Sequence, residues 1–391
     1  MTITSFCADV GYEMVSAVLP GFLSAIGIAA AALGWIVGAA DALSSLLKLG
    51  SGWYSDRVGH RKPVVALGYL LSGTGLSLFA AAVSWPLVLV GRLVAWFGKG
   101  IRGPLRDAML SESTLPEMRG KVFGLHRAGD TTGAVLGPLI GAWLLSVLPR
   151  PNAAAPYRAI FLVSLIPGLI AVASIVFLVV DCRTAPGTAR NPWKSIGDLP
   201  RPYRRLLAAA GIFGAGDFAP TLLVLAAAQL LTPSHGAVRA GEIAALCYVL
   251  RNVVYAATAF PAGALADRIS KTSLLAAGYA LGAATGFAAA ALFARHVTGV
   301  AAIAGVFVLA GIYIAVEDTL EGAIPADLVS PDARGTAYGL MGAVNGVGDL
   351  VASAAVGTLW TLVSPVVAFL FAGAAMMAGA GQMLAAGRRH Q

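Results

Sequence analysis

Ionisable residues inside long apolar runs are the part of this sequence best suited to chemistry. A charged side chain is costly within a bilayer and usually faces the interior of a helical bundle, where it marks an ion path, a proton relay or a binding site. Asp9 and Glu13 are four residues apart and therefore share one face of a helix. Together with Arg92, Asp130 and Asp217 they lie near the middle of predicted spans. A buried carboxylate can load and release protons, and Arg92 would tune its pKa and compete for it, so these five are the candidate proton-coupling residues.

A second set of intramembrane charges differs in sign between the two halves of the chain. At an offset of 215 residues, Arg102 corresponds to Glu317 and Arg106 to Glu321. Between them, a cavity would suit a zwitterion or a solute with separated charges, but the same residues would equally serve as salt bridges that open and close. Both interpretations stay open. The candidate cavity residues are Asp41, Arg102, Arg106, His126, Arg127, Arg251, Glu317, Glu321, Asn345 and Asp349.

Two short motifs each occur twice, in the same order. The first contains Asp56-Arg57 and returns as Asp267-Arg268, 211 residues later. The second, 116–125, returns as 331–340. One half of the chain was therefore built twice in parallel, which is an architecture of membrane transporters.

The charged motif suits a contact that opens and closes. A carboxylate is favoured at a helix N-terminus by the helix dipole, so we expect Asp56 to pair with a neighbouring helix end. The alternative is that Arg57, Arg61 and Lys62 only anchor the topology, but the repeat of the motif favours a gate. The gating motif comprises Gly52, Asp56, Arg57, Gly59, Arg61, Lys62, Asp267 and Arg268.

The amino-acid composition is that of a membrane protein. Of the 391 residues, 58% are hydrophobic and 12% charged, with a mean hydropathy of +0.79. Soluble proteins carry about 25% charged residues. Since a helical span needs about 20 apolar residues, twelve spans are predicted at 3–26, 33–53, 63–83, 86–106, 122–147, 159–180, 206–231, 242–262, 273–294, 298–320, 336–360 and 365–386. The fold class is an all-α polytopic membrane protein with twelve helices in two pseudo-symmetric six-helix bundles.

The predicted spans divide the chain into a bundle at 1–180, a linker at 181–205 and a bundle at 206–391. We assign the loop after the second span, the linker and both termini to the cytoplasm, and 28–32 and 233–238 to the other face. The cytoplasmic segments then hold most of the Lys and Arg. This bias explains the net charge of +8 through the lipid bilayer, without a nucleic-acid partner. Since Asp9 and Glu13 interrupt the first apolar run, a cleaved signal peptide is not expected.

Several classes of function lack their motifs. The three cysteines and five histidines have no metal-binding or disulfide spacing, so we expect neither a metal nor a cofactor. The sequence has no phosphate-binding GxxxxGK[ST] loop and no nucleophile elbow. ATP-driven transport and enzyme activity are therefore not expected.

The motifs resemble those of the major facilitator superfamily, and the resemblance covers essentially the whole chain. The first loop motif satisfies that family's G-x3-D-[RK]-x-G-x-[RK]-[RK] pattern, whereas in the second copy Ser270 replaces the second glycine. The segment around Arg92 resembles the family's arginine motif in the fourth span, with Lys99 where many members have a small residue.

A third motif lies in the fifth predicted span. Gly133, Gly137, Pro138 and Gly141 resemble the G-x3-G-P-x2-G pattern typical of drug/proton antiporters. Glycines four residues apart line one helix face and allow close packing, and the proline tends to kink the helix. We interpret this face as helix packing, with a pivot or a seal against proton leak as its possible further role.

The resemblance implies a secondary transporter of the bacterial inner membrane that works by alternating access. We expect a monomer that exports a small organic solute in exchange for protons, either an amphiphilic drug-like compound or a charged or zwitterionic metabolite. The alternative on the same fold is a proton-coupled uptake symporter for a small polar metabolite.

Overall fold

A computed structural model describes residues 1–26, 30–58, 60–149, 151–181 and 199–387. Within these ranges every regular element is a helix. The α-helices are α1 (Thr2–Ala25), α2 (Ala30–Val58), α3 (Lys62–Ser77), α4 (Trp85–Glu112), α5 (Arg119–Val147), α6 (Ala155–Val163), α7 (Leu165–Leu178), α8 (Arg201–Gly214), α9 (Pro220–His235), α10 (Ala237–Ala266), α11 (Lys271–Ala294), α12 (Val300–Leu328), α13 (Arg334–Leu362) and α14 (Pro365–Gly387). Gly59 of the gating motif, most of the predicted linker (182–198) and part of the predicted 28–32 connection lie outside the described residues.

Each of the twelve predicted spans coincides with a helix or with a pair of consecutive helices. The sixth is formed by α6 and α7, which meet at Ser164, and the seventh by α8 and α9, which are separated by 215–219. Among the described residues, eight segments are long and apolar enough to cross a membrane by length and composition. The helix α4 is outside that set because its four basic residues, Arg92, Lys99, Arg102 and Arg106, lower its apolarity.

Several helices extend beyond the predicted spans. The second span was predicted to end at 53, with Asp56 in the loop that follows, but α2 continues to Val58. Asp56 therefore lies in the last turn of α2, and its carboxylate accepts hydrogen bonds from N–H groups at the start of α13.

The chain forms two compact units. Unit 1 comprises Met1–Leu115, Gly129–Asp198 and Ser330–Ala343, and unit 2 comprises Pro116–Ala128, Leu199–Val329 and Val344–Gln391. The first residues of α5 thus belong to unit 2, and the first residues of α13 belong to unit 1.

Aromatic rings fill the core of each unit. In unit 1 the Phe161 ring meets Phe22 and Phe79 edge-on, at centroid distances of 4.9 and 5.6 Å. In unit 2 the Phe213 and Tyr279 rings stack at 3.9 Å. Edge-on and stacked ring pairs add stability to a core in addition to that gained by burying the ring surfaces.

The glycine face of α5 packs against α1. A Cβ on Gly133 would lie 2.5 Å from the carbonyl oxygen of Phe6 and 3.2 Å from the Cβ of Asp9. A Cβ on Gly137 would lie 2.7 Å from the Val10 oxygen. No larger residue fits there without a shift, so the small side chains bring α5 directly onto the helix that carries Asp9 and Glu13. Pro138 lies inside α5, and Gly141 continues the contact at Met14.

Candidate functional site

The carboxylate of Asp56 binds the N-terminus of α13. The backbone N–H groups of Gly335 and Thr336 donate to its two oxygens at 2.7 Å each, and the Thr336 hydroxyl donates at 2.6 Å. The side chain is 0% exposed. Gly335 and Thr336 are the second and third residues of α13, so their N–H groups have no partner within the helix. Asp56 supplies the missing acceptor, and the helix dipole favours its charge.

Arg61 holds this carboxylate from the other side. Its Nη2 lies 3.4 Å from Asp56 Oδ1, its Nε donates to the Ser55 hydroxyl at 2.6 Å, and its Nη1 pairs with Glu112 at the end of α4. The contact therefore joins the ends of α2, α4 and the start of α13.

Glycines allow the two backbones to meet at this point. A Cβ on Gly52 would lie 2.2 Å from the carbonyl oxygen of Gly335, and a Cβ on Gly335 would lie 2.5 Å from that of Gly52. Any side chain at either position would separate α2 from α13. The first glycine of the loop motif is thus required by contact rather than by a turn.

The second copy of the motif makes the same contact in unit 2. The N–H groups of Gly120 and Lys121, at the start of α5, donate to the two oxygens of Asp267 at 2.8 and 2.9 Å. A Cβ on Gly263 would lie 2.0 Å from the Gly120 oxygen. Here Lys121 stands where the first copy has Thr336, so the side-chain hydroxyl donor is missing.

The remaining charges of the gating motif do not bind a helix N-terminus. Arg57 is exposed, with its guanidinium 4.4 Å from the Trp53 ring centroid. Lys62 donates to the Val176 carbonyl at 2.8 Å, and Arg268 is exposed. These side chains fit the anchoring interpretation, in contrast to Asp56.

In unit 1, aromatic rings hold the basic residues of α4. The Arg92 guanidinium lies 3.7 Å from the Trp96 ring centroid, and the Lys99 ammonium lies 4.6 Å from that of Tyr12. The Arg102 guanidinium lies 4.0 Å from the Tyr69 ring centroid. Cation–π contacts of this kind are strongest where water is excluded.

A small cavity of about 20 Å³ opens beside these cations. Its lining includes Asp9, Tyr12, Trp96, Lys99 and Arg102. The Nη1 atom of Arg102 is buried and has no hydrogen-bond partner among the described residues. Aromatic faces, a carboxylate and a buried donor thus surround a space that, in this state, has room for about one water molecule.

The predicted proton-coupling residues of α1 and α5 are close together. The carboxyl groups of Asp9 and Asp130 are near enough to share a hydrogen bond, and Lys99 and Arg102 lie within electrostatic reach of Asp9. Among the described residues no ion pair joins Asp9 or Glu13 to a basic side chain. The structure therefore brings Asp9 and Asp130 together on the facing helices α1 and α5.

In unit 2 the acidic residues are bonded by neutral donors. Tyr313 donates to Asp217 at 2.9 Å, and Tyr279 and Asn345 both donate to Glu321. Asp217 lies in the 215–219 interruption between α8 and α9.

Other predicted cavity residues are spread more widely. Arg106 donates to its neighbour Asp107 at 2.9 Å and to Ser5 at 3.3 Å. Asp41 accepts a hydrogen bond from Trp96, and Arg251 donates to Asn252 at 2.9 Å. Three further residues differ in exposure: His126 is fully buried, Arg127 is half-buried and Asp349 is exposed.

The residues that sequence reasoning missed are the aromatic partners of these charges. They are Tyr12, Tyr69, Trp96, Tyr255, Tyr279 and Tyr313. One signal was present, because Tyr69 and Tyr279 lie 210 residues apart, close to the offset of the repeated motifs.

Comparison with known proteins gives consistent results along the whole chain. The model of the Major Facilitator Superfamily matches residues 1–241 and 206–388. An uncharacterised MFS-type transporter of Methanocaldococcus jannaschii is 30% identical over 369 residues, covering 94% of this chain and 89% of that protein. The multidrug resistance protein MdtH of Photorhabdus laumondii is 32% identical over 124 residues, covering 32% of this chain and 31% of that protein.

A solved structure shows the same fold. The proton:xylose symporter XylE superposes with a TM-score of 0.76 at 15% identity, covering 98% of this chain and 94% of that chain. At this identity the likeness concerns the twelve-helix fold alone.

Proposed function

Because the chain belongs to the major facilitator superfamily, we propose that it exports a small organic solute in exchange for protons. The protein is a multi-pass membrane transporter, not an enzyme, and its partners are a small-molecule substrate and the lipid bilayer. We place it in the inner membrane of a bacterium, as a monomer with both termini in the cytoplasm.

The paired carboxylate contacts carry the alternating-access part of the proposal. Asp56 and Asp267 each bind the first N–H groups of a helix that the other half of the sequence encodes. Such hydrogen bonds break and re-form without unfolding either helix. The two contacts therefore act as a reversible gate.

Proton exchange is supported by the carboxylates of unit 1. Asp9 lies near Asp130 and beside the basic residues of α4, and the tight packing of α5 on α1 leaves little room for water. A carboxylate in that setting changes its proton occupancy when one side of the protein opens to water. Lys99 and Arg102 then compete with the proton for the negative charge of the Asp9 carboxylate.

Export of an organic solute is supported by two observations. The glycine-proline motif of α5 is typical of drug/proton antiporters, and the relative MdtH is a multidrug resistance protein. The cavity beside Arg102 offers rings for an apolar body and donors for an anionic group. In a state in which this cavity is wider, a solute that combines both features would contact these groups.

The test is solute-dependent proton movement in proteoliposomes that contain a pH-sensitive dye. A panel of organic anions, cations and zwitterions is added under an imposed pH gradient. We expect at least one solute to move against the direction of the protons. Movement in the same direction would instead identify an uptake symporter, and no proton movement with any transported solute would refute proton coupling.

A further inference from the structure

Glu317 on α12 is buried, and one of its two carboxylate oxygens has no hydrogen-bond partner in the part of the chain that the structure describes. The residue is 6% exposed, and its Oε2 atom is enclosed with no hydrogen-bond partner among the described residues. An ionised carboxylate in such a place loses the hydration of that oxygen without a hydrogen bond in exchange, which disfavours the charged form. The site therefore needs a ligand that removes the charge.

The neighbouring carboxylates differ from Glu317 in this respect. Asp217 accepts a hydrogen bond from Tyr313 at 2.9 Å, and Asp318 accepts one from Tyr255. Glu321, one turn further along α12, accepts bonds from the Tyr279 hydroxyl and from the Asn345 amide. All of these donors are neutral. They provide hydrogen bonds to the carboxylate oxygens but do not neutralise the negative charges.

The balance of charge around Glu317 is strongly negative. Four carboxylates, those of Asp217, Glu317, Asp318 and Glu321, interact with one another, and the exposed Asp349 adds a fifth. A basic group that acts on Asp217 through space is Arg251 on α10, which donates its hydrogen bond to Asn252. Among the described residues no ion pair joins the four carboxylates to Arg, Lys or His.

A metal ion does not fit the geometry. Among the described residues no three His, Cys, Asp or Glu side chains are arranged to hold one. A proton needs no coordination shell and little space, and it neutralises the oxygen on which it binds.

The interrupted helix next to this cluster offers a path for the proton. Residues 215–219 separate α8 from α9 and place Asp217 outside a regular helix, although the span is intramembrane. Within a membrane, irregular backbone is tolerated only where protein or a water-filled cavity surrounds it, and broken helices are typical of ion and substrate sites. Asp217 is thus placed to relay a proton between water and α12.

We propose that Glu317 is the proton-binding group of the exchange, with Asp217 as its relay. This assignment rests on the proposed proton-coupled function, for which Asp9 and Glu13 of unit 1 are the competing coupling groups. In the state described here the Glu317 carboxyl carries the proton as an O–H group. When the cluster opens to water, that O–H bond breaks and the proton passes to water. The Glu317 carboxylate is then ionised and ready to bind the next proton.

Infrared spectroscopy tests the assignment without a known solute. Protein reconstituted in lipid is titrated from acid to neutral pH, and the carbonyl band of protonated carboxylic acids is followed. We expect a band that persists at neutral pH, shifts when only glutamate is labelled with ¹³C, and is lost in Glu317→Gln. The exposed Glu117→Gln serves as the matched control and keeps the band. A band that does not shift on glutamate labelling refutes the proposal in the wild-type protein, even where the variant does not fold.

Transport then separates this inference from the proposed function. If Glu317 is the coupling group, Glu317→Gln loses proton movement at least tenfold while solute exchange down a solute gradient continues, and Glu117→Gln behaves as wild type. Proton-coupled transport that survives in Glu317→Gln overturns the assignment but leaves the proposed function intact. No proton movement in the wild type refutes the proposed function itself, while the infrared result still decides whether Glu317 is protonated.

Discussion

Replacing Asp56 with asparagine tests the gate at a single contact. Asparagine keeps the size of the side chain and one acceptor oxygen, which can still bind Gly335. Its amide nitrogen cannot accept the Thr336 N–H, which the wild-type Oδ2 accepts at 2.7 Å. A hydrogen bond to a charged group contributes about 1.5–3 kcal/mol. Since 1.4 kcal/mol is a factor of ten, the contact should open roughly 10- to 150-fold more often.

Hydrogen exchange measures this opening directly. As the second and third residues of α13, Gly335 and Thr336 have no intrahelical acceptor, so their protection reports the contact with Asp56. We expect faster exchange in the peptide around 330–340 by roughly the same factor of 10 to 150, with the other helices unchanged and transport weakened. Asp332→Asn removes an exposed charge near the same helix end and should leave exchange unchanged. Exchange in Asp56→Asn within about threefold of wild type would mean that this contact does not hold α13.

Three further predictions use matched variants. Gly52→Ala places a Cβ 2.2 Å from the Gly335 oxygen, whereas nothing lies within 4 Å of a Cβ at Gly50. Gly52→Ala should therefore cost about 1–3 kcal/mol in the closed contact, measured by the same exchange, while Gly50→Ala should not. If α1 instead holds the coupling proton, Asp9→Asn or Glu13→Gln abolishes proton-driven export and flattens the pH dependence of solute affinity, and Glu117→Gln does neither. A cysteine at Ser234 should be labelled from the periplasmic side; labelling from the cytoplasmic side alone would contradict the topology.

The spans were predictable because their signal is local. An apolar run of about 20 residues predicts a membrane helix wherever it occurs in the chain. Each of the twelve predicted runs coincides with helical structure. The interruption at 215–219 was missed, although Gly214, Gly216 and Pro220 flank or lie within it. Hydropathy averages over such breaks, since glycine and proline are frequent in membrane helices.

The contact of Asp56 with a helix end was predictable in kind, but its partner helix was not. A carboxylate in a repeated motif next to a helix end suggests an anion bound to N-terminal N–H groups. Which helix supplies those groups depends on tertiary packing. The sequence did contain the partner, since Gly335 and Gly120 belong to the second repeated motif, but nothing local links that motif to Asp56 or Asp267.

The chemistry of the charged residues was the least predictable part. Tyr279 and Tyr313 look in the sequence like ordinary core aromatics, and only the structure shows their hydroxyls on Glu321 and Asp217. Charge alone therefore did not distinguish Glu317 from its neighbours. What distinguishes it is the absence, among the described residues, of a donor for one buried oxygen.

The duplicated scaffold has diverged in a way that assigns different tasks to its copies. Asp56 is fully buried with three donors, whereas Asp267 is partly exposed with two, so the first contact is the stronger of the pair. At equivalent positions of the repeat, Arg102 lies on an aromatic ring and Glu317 lies among carboxylates. Both residues keep one buried polar atom without a partner among the described residues. Under the proposed exchange, the Arg102 donor would bind an anionic group in unit 1 and the Glu317 oxygen a proton in unit 2, so each copy would serve one of the two exchanged species.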